Sequence, residues 1–215
     1  MKKGEIKAII FDIGGVLALG KKFLKIRGVY HHKGVHEFMA KKFNVSLDQY
    51  FDSIDTPYAR SIIKEITKKQ FLNKVSKNFN TTSKKLEKFY KEAIKRNFKQ
   101  NKELYNIAFK LKKQGYKIAI LSDQWHISKE VLMPEKYTKK FNAVIVSCDV
   151  GIRKPNPKIY KLVLKKLKLP AKNTVFIDNQ KWNIKPAKKL GMNTILFKNN
   201  KQTLKELKKL KVGAK

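Results

Sequence analysis

The sequence has little that would crosslink the chain or place it in a membrane. It contains a single cysteine, Cys148, so no disulfide can form within the chain, which is typical of proteins from reducing compartments. No apolar run approaches the roughly 18 residues that a membrane span requires. The short apolar run at residues 8–11 is also too brief for the core of a signal peptide. We therefore expect a cytoplasmic protein.

Acidic residues and arginines are also scarce. The chain has 51 lysines and arginines against 16 acidic residues, which gives a formal net charge of +35. Such a charge attracts polyanions without specificity. Dedicated phosphate-reading surfaces favour arginine, yet only four of these cations are arginines, and the lysines are spread over all the helical patterns. We expect weak, non-specific binding to nucleic acid, with neither a specific nucleic-acid partner nor a membrane partner. The oligomeric state is not predicted.

Five short apolar runs alternate with helical patterns along the 215 residues. Continuous apolar runs are typical of parallel strands that are covered on both faces. The predicted strands are 8–11, 118–121, 143–146, 174–177 and 194–197. The predicted helices between and after them are 101–114, 158–168, one capped by Asn183 and ending before Gly191, and 202–210, with Asn101 and Asn156 as further caps. This order predicts an α/β fold with a doubly wound, parallel, five-stranded Rossmann-like core.

The segment at 20–98 interrupts this alternation. It is too long for a simple crossover and shows no convincing strand. Its helical periods fall at 35–43, 46–54, 57–65, 68–79 and 84–98, with start signals at Thr56-Pro57 and Thr67. We predict that residues 20–98 form an α-helical cap inserted after the first strand, and that residues 1–19 and 99–215 form the core.

Polar side chains follow four of the predicted strands, where open α/β sheets bind their ligands. They are Asp12, the pair Ser122 and Asp123, Lys154, and the pair Asp178 and Asn179. Two carboxylates, Asp12 and Asp178, can share Mg²⁺ with a backbone carbonyl and waters. Ser122, Lys154 and the backbone N–H groups after the first strand can hold phosphate oxygens. This set suits phosphoryl transfer from a small phosphorylated metabolite through an aspartyl-phosphate.

Four segments resemble, in order, the four motifs of the haloacid dehalogenase-like hydrolases. They are residues 9–17, 121–123, 153–160 and 175–179, and the insertion resembles that family's α-helical cap. The resemblance implies a Mg²⁺-dependent hydrolase, most simply a phosphoric monoester hydrolase. It makes Asp12 the nucleophile, with the metal ligands and phosphoryl-binding groups drawn from residues that match the motifs. The implied metal ligands are Asp12, Asp178 and the Gly14 carbonyl, with Asn179 supporting the metal's water shell; the implied phosphoryl-binding groups are Gly15, Ser122, the Asp123 amide and Lys154.

The sequence departs from the family pattern at two positions. Most phosphatases of the family carry aspartate where this chain has Gly14, and that aspartate protonates the leaving group. Such general acid–base help is worth about 10²–10⁴-fold in rate. A glycine there resembles some sugar-phosphate phosphatases of the family, and substrates with good leaving groups would suffer least. His31, His32 or His36, or a water, could replace the acid. Asn179 in place of a common aspartate removes a negative charge that would favour Mg²⁺ binding, whereas Asp123 in place of a common asparagine adds one nearby, so the net effect is not predicted.

Two other functions fit parts of the sequence. A metal-independent L-2-haloacid dehalogenase would use Lys154 and Tyr160 and would need an arginine, for which Arg27 and Arg60 are the candidates. A catalytically weak family member could instead bind phospholigands or polyanions. Trp125 and Trp182 each follow a motif and are candidates for the pocket wall.

Overall fold

The computed structural model describes the backbone of residues 5–20, 23–26 and 29–213, and the side chains of residues 5–20 and 34–213. The strands are β1 (Ala8–Phe11), β2 (Ala18–Gly20), β3 (Phe23–Ile26), β4 (Val29–His32), β5 (Phe98–Gln100), β6 (Lys117–Ser122), β7 (Ala143–Val146), β8 (Thr174–Asp178) and β9 (Asn193–Leu196). The helices are α1 (Lys33–Phe43), α2 (Leu47–Ile62), α3 (Lys68–Asn78), α4 (Ser83–Asn97), α5 (Lys102–Lys113), α6 (His126–Leu132), α7 (Glu135–Thr138), α8 (Ser147–Val150), α9 (Pro157–Leu167), α10 (Lys181–Lys189) and α11 (Asn200–Lys209).

The central sheet has five parallel strands in the order β7-β6-β1-β8-β9. The predicted α/β fold with a parallel five-stranded core is therefore confirmed. Each strand begins and ends within one residue of its predicted position. The chain leaves β1 for β6 on one side and reaches β8 on the other, so the strand order reverses around β1. This reversal opens a crevice at the carboxyl ends of the central strands.

Alternate residues of the central strands enter two separate cores. Ile9 and Phe11 of β1 belong to a cluster that includes α5 and the helices of the insertion, whereas Ala8 and Ile10 belong to a cluster formed with α9 and α10. All four side chains are fully buried. Burial of successive residues on opposite faces explains why the strands are continuously apolar.

The predicted helix starts are confirmed at Asn101, Asn156 and Thr67 and wrong at Asn183 and at Thr56-Pro57, which lies inside α2. Asn101 and Asn156 accept hydrogen bonds from the first turns of α5 and α9, and Thr67 forms a capping box with Gln70. Helix α10, however, already begins at Lys181, so the prediction that Asn183 caps it is wrong. The side-chain amide of Asn183 instead donates to the Asp178 carboxylate.

The two helices predicted at 46–54 and 57–65 are one continuous helix, α2, with Pro57 inside it. Proline removes the N–H that would bond to the carbonyl four residues earlier, which here belongs to Ser53. The side-chain amide of Asn78 donates to that carbonyl at 2.8 Å. A neighbouring helix therefore supplies the hydrogen bond that Pro57 cannot make, and the helix continues.

The prediction that the insertion lacks strands is also wrong. Strands β2 and β5 pair antiparallel where the insertion leaves and rejoins the sheet, and β3 pairs with β4 as a hairpin. Strands of three or four residues are too short for an alternating pattern to appear in the sequence. The treatment of 20–98 as a separate cap stays a prediction, since its buried residues continue into one core of the sheet. In the described residues, no helix is both long and apolar enough to cross a membrane.

Candidate active site

The polar residues at the strand ends converge around β1. Asp12 follows β1, Ser122 ends β6 and Asp178 ends β8. The register places Phe11 beside Ile120 and Ile177, and the Asp12 backbone N–H donates to the Ile177 carbonyl at 3.0 Å. The parallel sheet therefore brings together residues that are more than 160 positions apart in sequence.

Lys154 joins the two carboxylates. Its ammonium lies 3.2 Å from Asp12 Oδ1 and 2.6 Å from Asp178 Oδ2, and its side chain is 1% exposed. The Lys154 backbone N–H donates to Asp123 Oδ1 at 3.0 Å, which fixes this loop to the end of β6. One buried cation is thus held between two buried acids, in the place where the sequence predicted a phosphoryl site.

Burial and the opposite charges nearby have opposing effects on the pKa values of these groups. Burial raises the pKa of Asp12 to about 7, although Lys154 acts to lower it, and Asp178 adds to the rise. Burial also raises the pKa of Asp123, against the effect of Lys154. Burial alone would lower the pKa of Lys154, but the surrounding carboxylates outweigh it and raise that pKa. Lys154 is therefore a cation at neutral pH, and Asp12 is close to its titration midpoint in the protein alone.

Asp178 is held by more partners than the sequence suggested. Its Oδ1 accepts from the Gln180 backbone N–H at 2.7 Å, and the Asn183 side chain donates to its Oδ2 at 3.0 Å. Asn183 is in turn fixed through its backbone carbonyl, which accepts from the Tyr160 hydroxyl at 2.8 Å. Asn183 is a site residue that we had not predicted. Its position one turn after the fourth motif is a signal that could have found it.

Gln124 is the second unpredicted site residue. It is 6% exposed, and its side-chain amide donates to Ser122 Oγ at 3.0 Å. Its backbone is held by the hydroxyl of Ser147. Gln124 therefore keeps the Ser122 hydroxyl, a predicted phosphoryl-binding group, in a fixed position beside Asp12.

The loop after β1 is shaped by two glycines in different ways. Gly15 has a φ of +78°, and an added Cβ would lie 2.3 Å from Asn179 Nδ2. A side chain at Gly15 would therefore clash with Asn179. An added Cβ at Gly14 would lie 3.9 Å from Gln124 Nε2, which is an ordinary contact. The glycine that replaces the family's usual acid is thus not required by sterics.

The oxygen atoms around Asp12 fit a magnesium ion. The described residues contain no group of three His, Cys, Asp or Glu side chains able to hold a metal. Mg²⁺ instead commonly uses one or two carboxylates together with waters and substrate phosphate. Asn179 Oδ1 is buried with no hydrogen-bond partner among the described residues. No hydrogen bond from a described residue reaches the Gly14 carbonyl. Asp12, Asp178 and the Gly14 carbonyl would provide the oxygen ligands of such an ion, and Asn179 would bond to a metal-bound water.

A cavity of about 240 Å³ lies over these residues. Its floor includes Asp12, Gly14, Asp123 and Lys154. Its walls come from the insertion, from α6 with the turn before it, and from the start of α10 with the turn before it. Both predicted wall residues, Trp125 and Trp182, line it. The cavity connects the predicted chemical groups with the part of the chain expected to recognise the substrate.

The remaining candidates from the sequence differ in where they lie. The side chains of His31, His32 and Arg27 lie outside the described residues. His36 lines the cavity and packs against the rings of Tyr50 and Phe51. Arg60 is half exposed and pairs with Glu65 at 3.2 Å, outside the cavity.

Known proteins resemble this chain over 38% to 87% of its length. Curated relatives include mouse bifunctional epoxide hydrolase 2, which is 29% identical over 87% of this chain and 35% of its own length. Glyceraldehyde 3-phosphate phosphatase of Methanocaldococcus jannaschii is 37% identical over 38% of this chain and 37% of its own. (S)-2-haloacid dehalogenase 4A of Burkholderia cepacia is 33% identical over 38% and 36%. The chain thus spans about a third of the length of the mouse relative.

The fold also matches solved structures. A HAD family enzyme from Bacteroides thetaiotaomicron, in complex with magnesium and inorganic phosphate, superposes with a TM-score of 0.68 at 21% identity, covering 93% of this chain and 98% of that one. The family model of the haloacid dehalogenase-like hydrolases matches residues 6–191. With the four motifs gathered at one sheet edge, this match shows that the chain belongs to the haloacid dehalogenase-like hydrolases.

Proposed function

We propose that this hydrolase is a Mg²⁺-dependent phosphatase that cleaves a small phosphate ester through an aspartyl-phosphate at Asp12. The observation that carries the proposal is the buried ammonium of Lys154 in contact with both Asp12 and Asp178. A phosphoryl group placed beside Asp12 would find this cation and the Ser122 hydroxyl as partners for its oxygens. The phosphatase among the relatives and the magnesium and phosphate bound by the fold neighbour support the same chemistry.

The proposed reaction has two steps. An Asp12 carboxylate oxygen attacks phosphorus, the bond from phosphorus to the ester oxygen breaks, and the leaving group takes a proton from water. A second water then attacks the phosphorus of the aspartyl-phosphate, which releases inorganic phosphate and restores Asp12. Bound Mg²⁺ would offset the repulsion between the carboxylate and the phosphate. Lys154, Ser122 and the Gly15 and Asp123 backbone N–H groups would hold the phosphoryl oxygens in both steps.

The dehalogenase alternative has less support in the structure. The Tyr160 hydroxyl donates to the Asn183 carbonyl, so it serves the base of the site. Arg60 pairs with Glu65 outside the cavity. The unpartnered Asn179 Oδ1 favours a hydrated cation beside Asp12 and Asp178. Release of halide from 2-chloropropionate in the absence of metal would support this alternative.

The proposed function is tested by Mg²⁺-dependent release of phosphate from p-nitrophenyl phosphate and acetyl phosphate. We expect Asp12→Asn to abolish turnover, because an amide cannot accept the phosphoryl group, while circular dichroism shows an intact fold. Asp48→Asn, which changes an exposed aspartate at the start of α2, is the matched control and should retain full turnover. Undiminished turnover by Asp12→Asn would refute the assignment. Salt-dependent RNA binding without any turnover would instead favour a catalytically weak family member.

A further inference from the structure

The cavity over Asp12 differs in charge from the rest of the molecule. The chain carries a net charge of +35, yet Lys154 is the only lysine or arginine among the described residues that line the cavity. Its ammonium already contacts Asp12 and Asp178. Beyond the phosphoryl group, the described walls therefore offer no ammonium or guanidinium to a second anionic group.

Apolar and aromatic side chains form much of the walls around the leaving group, alongside polar side chains such as Gln124, Ser128 and Gln180. Trp125 packs against Tyr90 with ring centroids 4.8 Å apart and against Tyr58 at 5.8 Å. Aliphatic and aromatic side chains complete the walls, among them Val35, Ile54, Ile94, Phe98 and Leu132. Such walls gain free energy by covering apolar surface and provide ring faces for an aromatic group.

Two wall residues provide a neutral polar group. The hydroxyls of Tyr50 and Tyr90 lie 3.0 Å apart and both side chains are buried. Burial raises the pKa of each, so both stay protonated at neutral pH. One hydroxyl donates to the other, so the hydrogen of the accepting hydroxyl is not used within the pair. The pair can therefore donate to an uncharged acceptor on the substrate.

An acidic residue makes the cavity unfavourable for a second anion. Asp123 lines it, and its carboxyl group is tied to the Lys154 backbone. An anionic substituent on the leaving group would lose its hydration and meet this acid. Besides Lys154, which is already paired, the described walls offer it no lysine or arginine, and His36 is the only other basic side chain there. A buried charge without a partner is strongly disfavoured, whereas a neutral group of the same shape is not.

We propose that the substrate is a phosphate monoester whose leaving group is small, uncharged and partly apolar, such as an arylmethyl group that carries a neutral polar substituent. The size follows from the cavity of about 240 Å³, below the roughly 300–1,000 Å³ of sites for drug-sized ligands. The charge and polarity follow from the walls. This inference rests on the proposed phosphatase function. It excludes bisphosphates and phosphorylated carboxylic acids as preferred substrates.

The test compares two esters that differ only in charge, 4-carbamoylbenzyl phosphate and 4-carboxybenzyl phosphate. They share size and leaving-group chemistry, so the ratio of their kcat/KM values isolates the charge. We expect the native protein with Mg²⁺ to favour the carbamoyl ester by about 10²-fold. Equal or faster hydrolysis of the carboxylate would overturn the inference.

Binding of the matching non-hydrolysable phosphonates separates this inference from the proposed function. We expect the carbamoyl phosphonate to bind more tightly than the carboxylate by calorimetry, whether or not any ester is turned over. If no ester is turned over but this binding preference is observed, the phosphatase proposal is wrong and the inferred preference for an uncharged ligand stands. Tighter or equal binding of the carboxylate phosphonate would remove the substrate class.

A variant that adds a wall cation provides a second check. Trp182 lines the cavity and is 45% exposed, so its replacement disturbs little of the core. We expect Trp182→Arg to narrow the carbamoyl-to-carboxyl ratio by about tenfold, because the new guanidinium pairs with the carboxylate. Trp182→Gln, which removes the ring without adding charge, should leave the ratio unchanged. An unchanged ratio in Trp182→Arg would contradict the electrostatic explanation of the preference.

Discussion

Two adjacent glycines after β1 have different roles. Gly15 is required by its positive φ and by the contact with Asn179, whereas Gly14 has room for a side chain next to Gln124. The absence of an acid at position 14 therefore affects protonation of the leaving group and is not a requirement of packing in this loop. Because no carboxyl group stands there to protonate the leaving oxygen, the rate should depend steeply on how well the alcohol leaves.

We expect Gly14→Asp to accelerate hydrolysis of benzyl phosphate by about 10²-fold, since it would add a general acid beside a poor leaving group. Hydrolysis of p-nitrophenyl phosphate, whose leaving group needs no proton, should change far less. Gly14→Ala is the control for the added Cβ. Equal changes for both esters, measured as kcat, would show that position 14 does not protonate the leaving group.

The raised pKa of Asp12 predicts a pH-dependent affinity for Mg²⁺. Burial raises that pKa to about 7, so below pH 7 the metal must displace a proton, and above it the carboxylate is already ionised. We expect the apparent dissociation constant to rise about tenfold per pH unit below pH 7 and to level off above it. Calorimetric titrations with Mg²⁺ across this range measure the slope.

The variant Asp12→Asn is the control for that slope, because it has no proton to release at this position. Its Mg²⁺ affinity should be lower and nearly independent of pH. A flat pH profile in the native protein would show that Asp12 does not ligate the metal.

The sequence predicted the charged residues of the site and Asn179, but not the amides of Gln124 and Asn183. Asp12, Ser122 and Asp178 each follow or end an apolar run, and the parallel sheet brings such positions to one edge. Lys154 lies in the loop after β7 and α8. Gln124 and Asn183 lie a few residues further on, where their role depends on the path of each loop and on contacts between loops. Asparagine is also a common helix-capping residue, which is why we interpreted Asn183 as a cap.

At the scale of elements, the strongest departure from prediction is Pro57 inside α2. The sequence signal for a break was correct locally, since Pro57 leaves the Ser53 carbonyl without its helical partner. Asn78 of α3 bonds to that carbonyl, a contact between helices that no local pattern reveals. Core strands were predicted within a residue because both of their faces are buried, whereas β2 to β5 are too short to give a pattern.

We expect Asn78→Ala to lower the free energy of unfolding by about 1 kcal/mol, the usual net value of one hydrogen bond. In a Pro57→Ala background the new backbone N–H can reach the Ser53 carbonyl, so the same change should cost much less. Urea denaturation of the native protein, the two single variants and the double variant measures the coupling energy between these residues. An equal cost of Asn78→Ala in both backgrounds would contradict the proposed role of the amide.

At the scale of the whole molecule, the net charge of +35 and the nearly uncharged cavity walls belong to separate regions. We expect RNA binding to be independent of sequence and to be lost between about 50 and 200 mM salt, because it would depend on dispersed lysines. Hydrolysis of phosphate monoesters with uncharged leaving groups should change little over the same range of salt concentration. Fluorescence anisotropy with two RNAs of equal length and different sequence measures the first effect. A sequence preference that persists at high salt would indicate a nucleic-acid function.

The central claim is that Asp12 itself accepts the phosphoryl group. Borohydride reduces an acyl phosphate, so acid-quenched turnover mixtures treated with it should yield homoserine at position 12, detected by mass spectrometry of the digested chain. We expect this product only when substrate and Mg²⁺ are both present during turnover. Steady turnover with unmodified Asp12, or homoserine at another acidic residue, would contradict it.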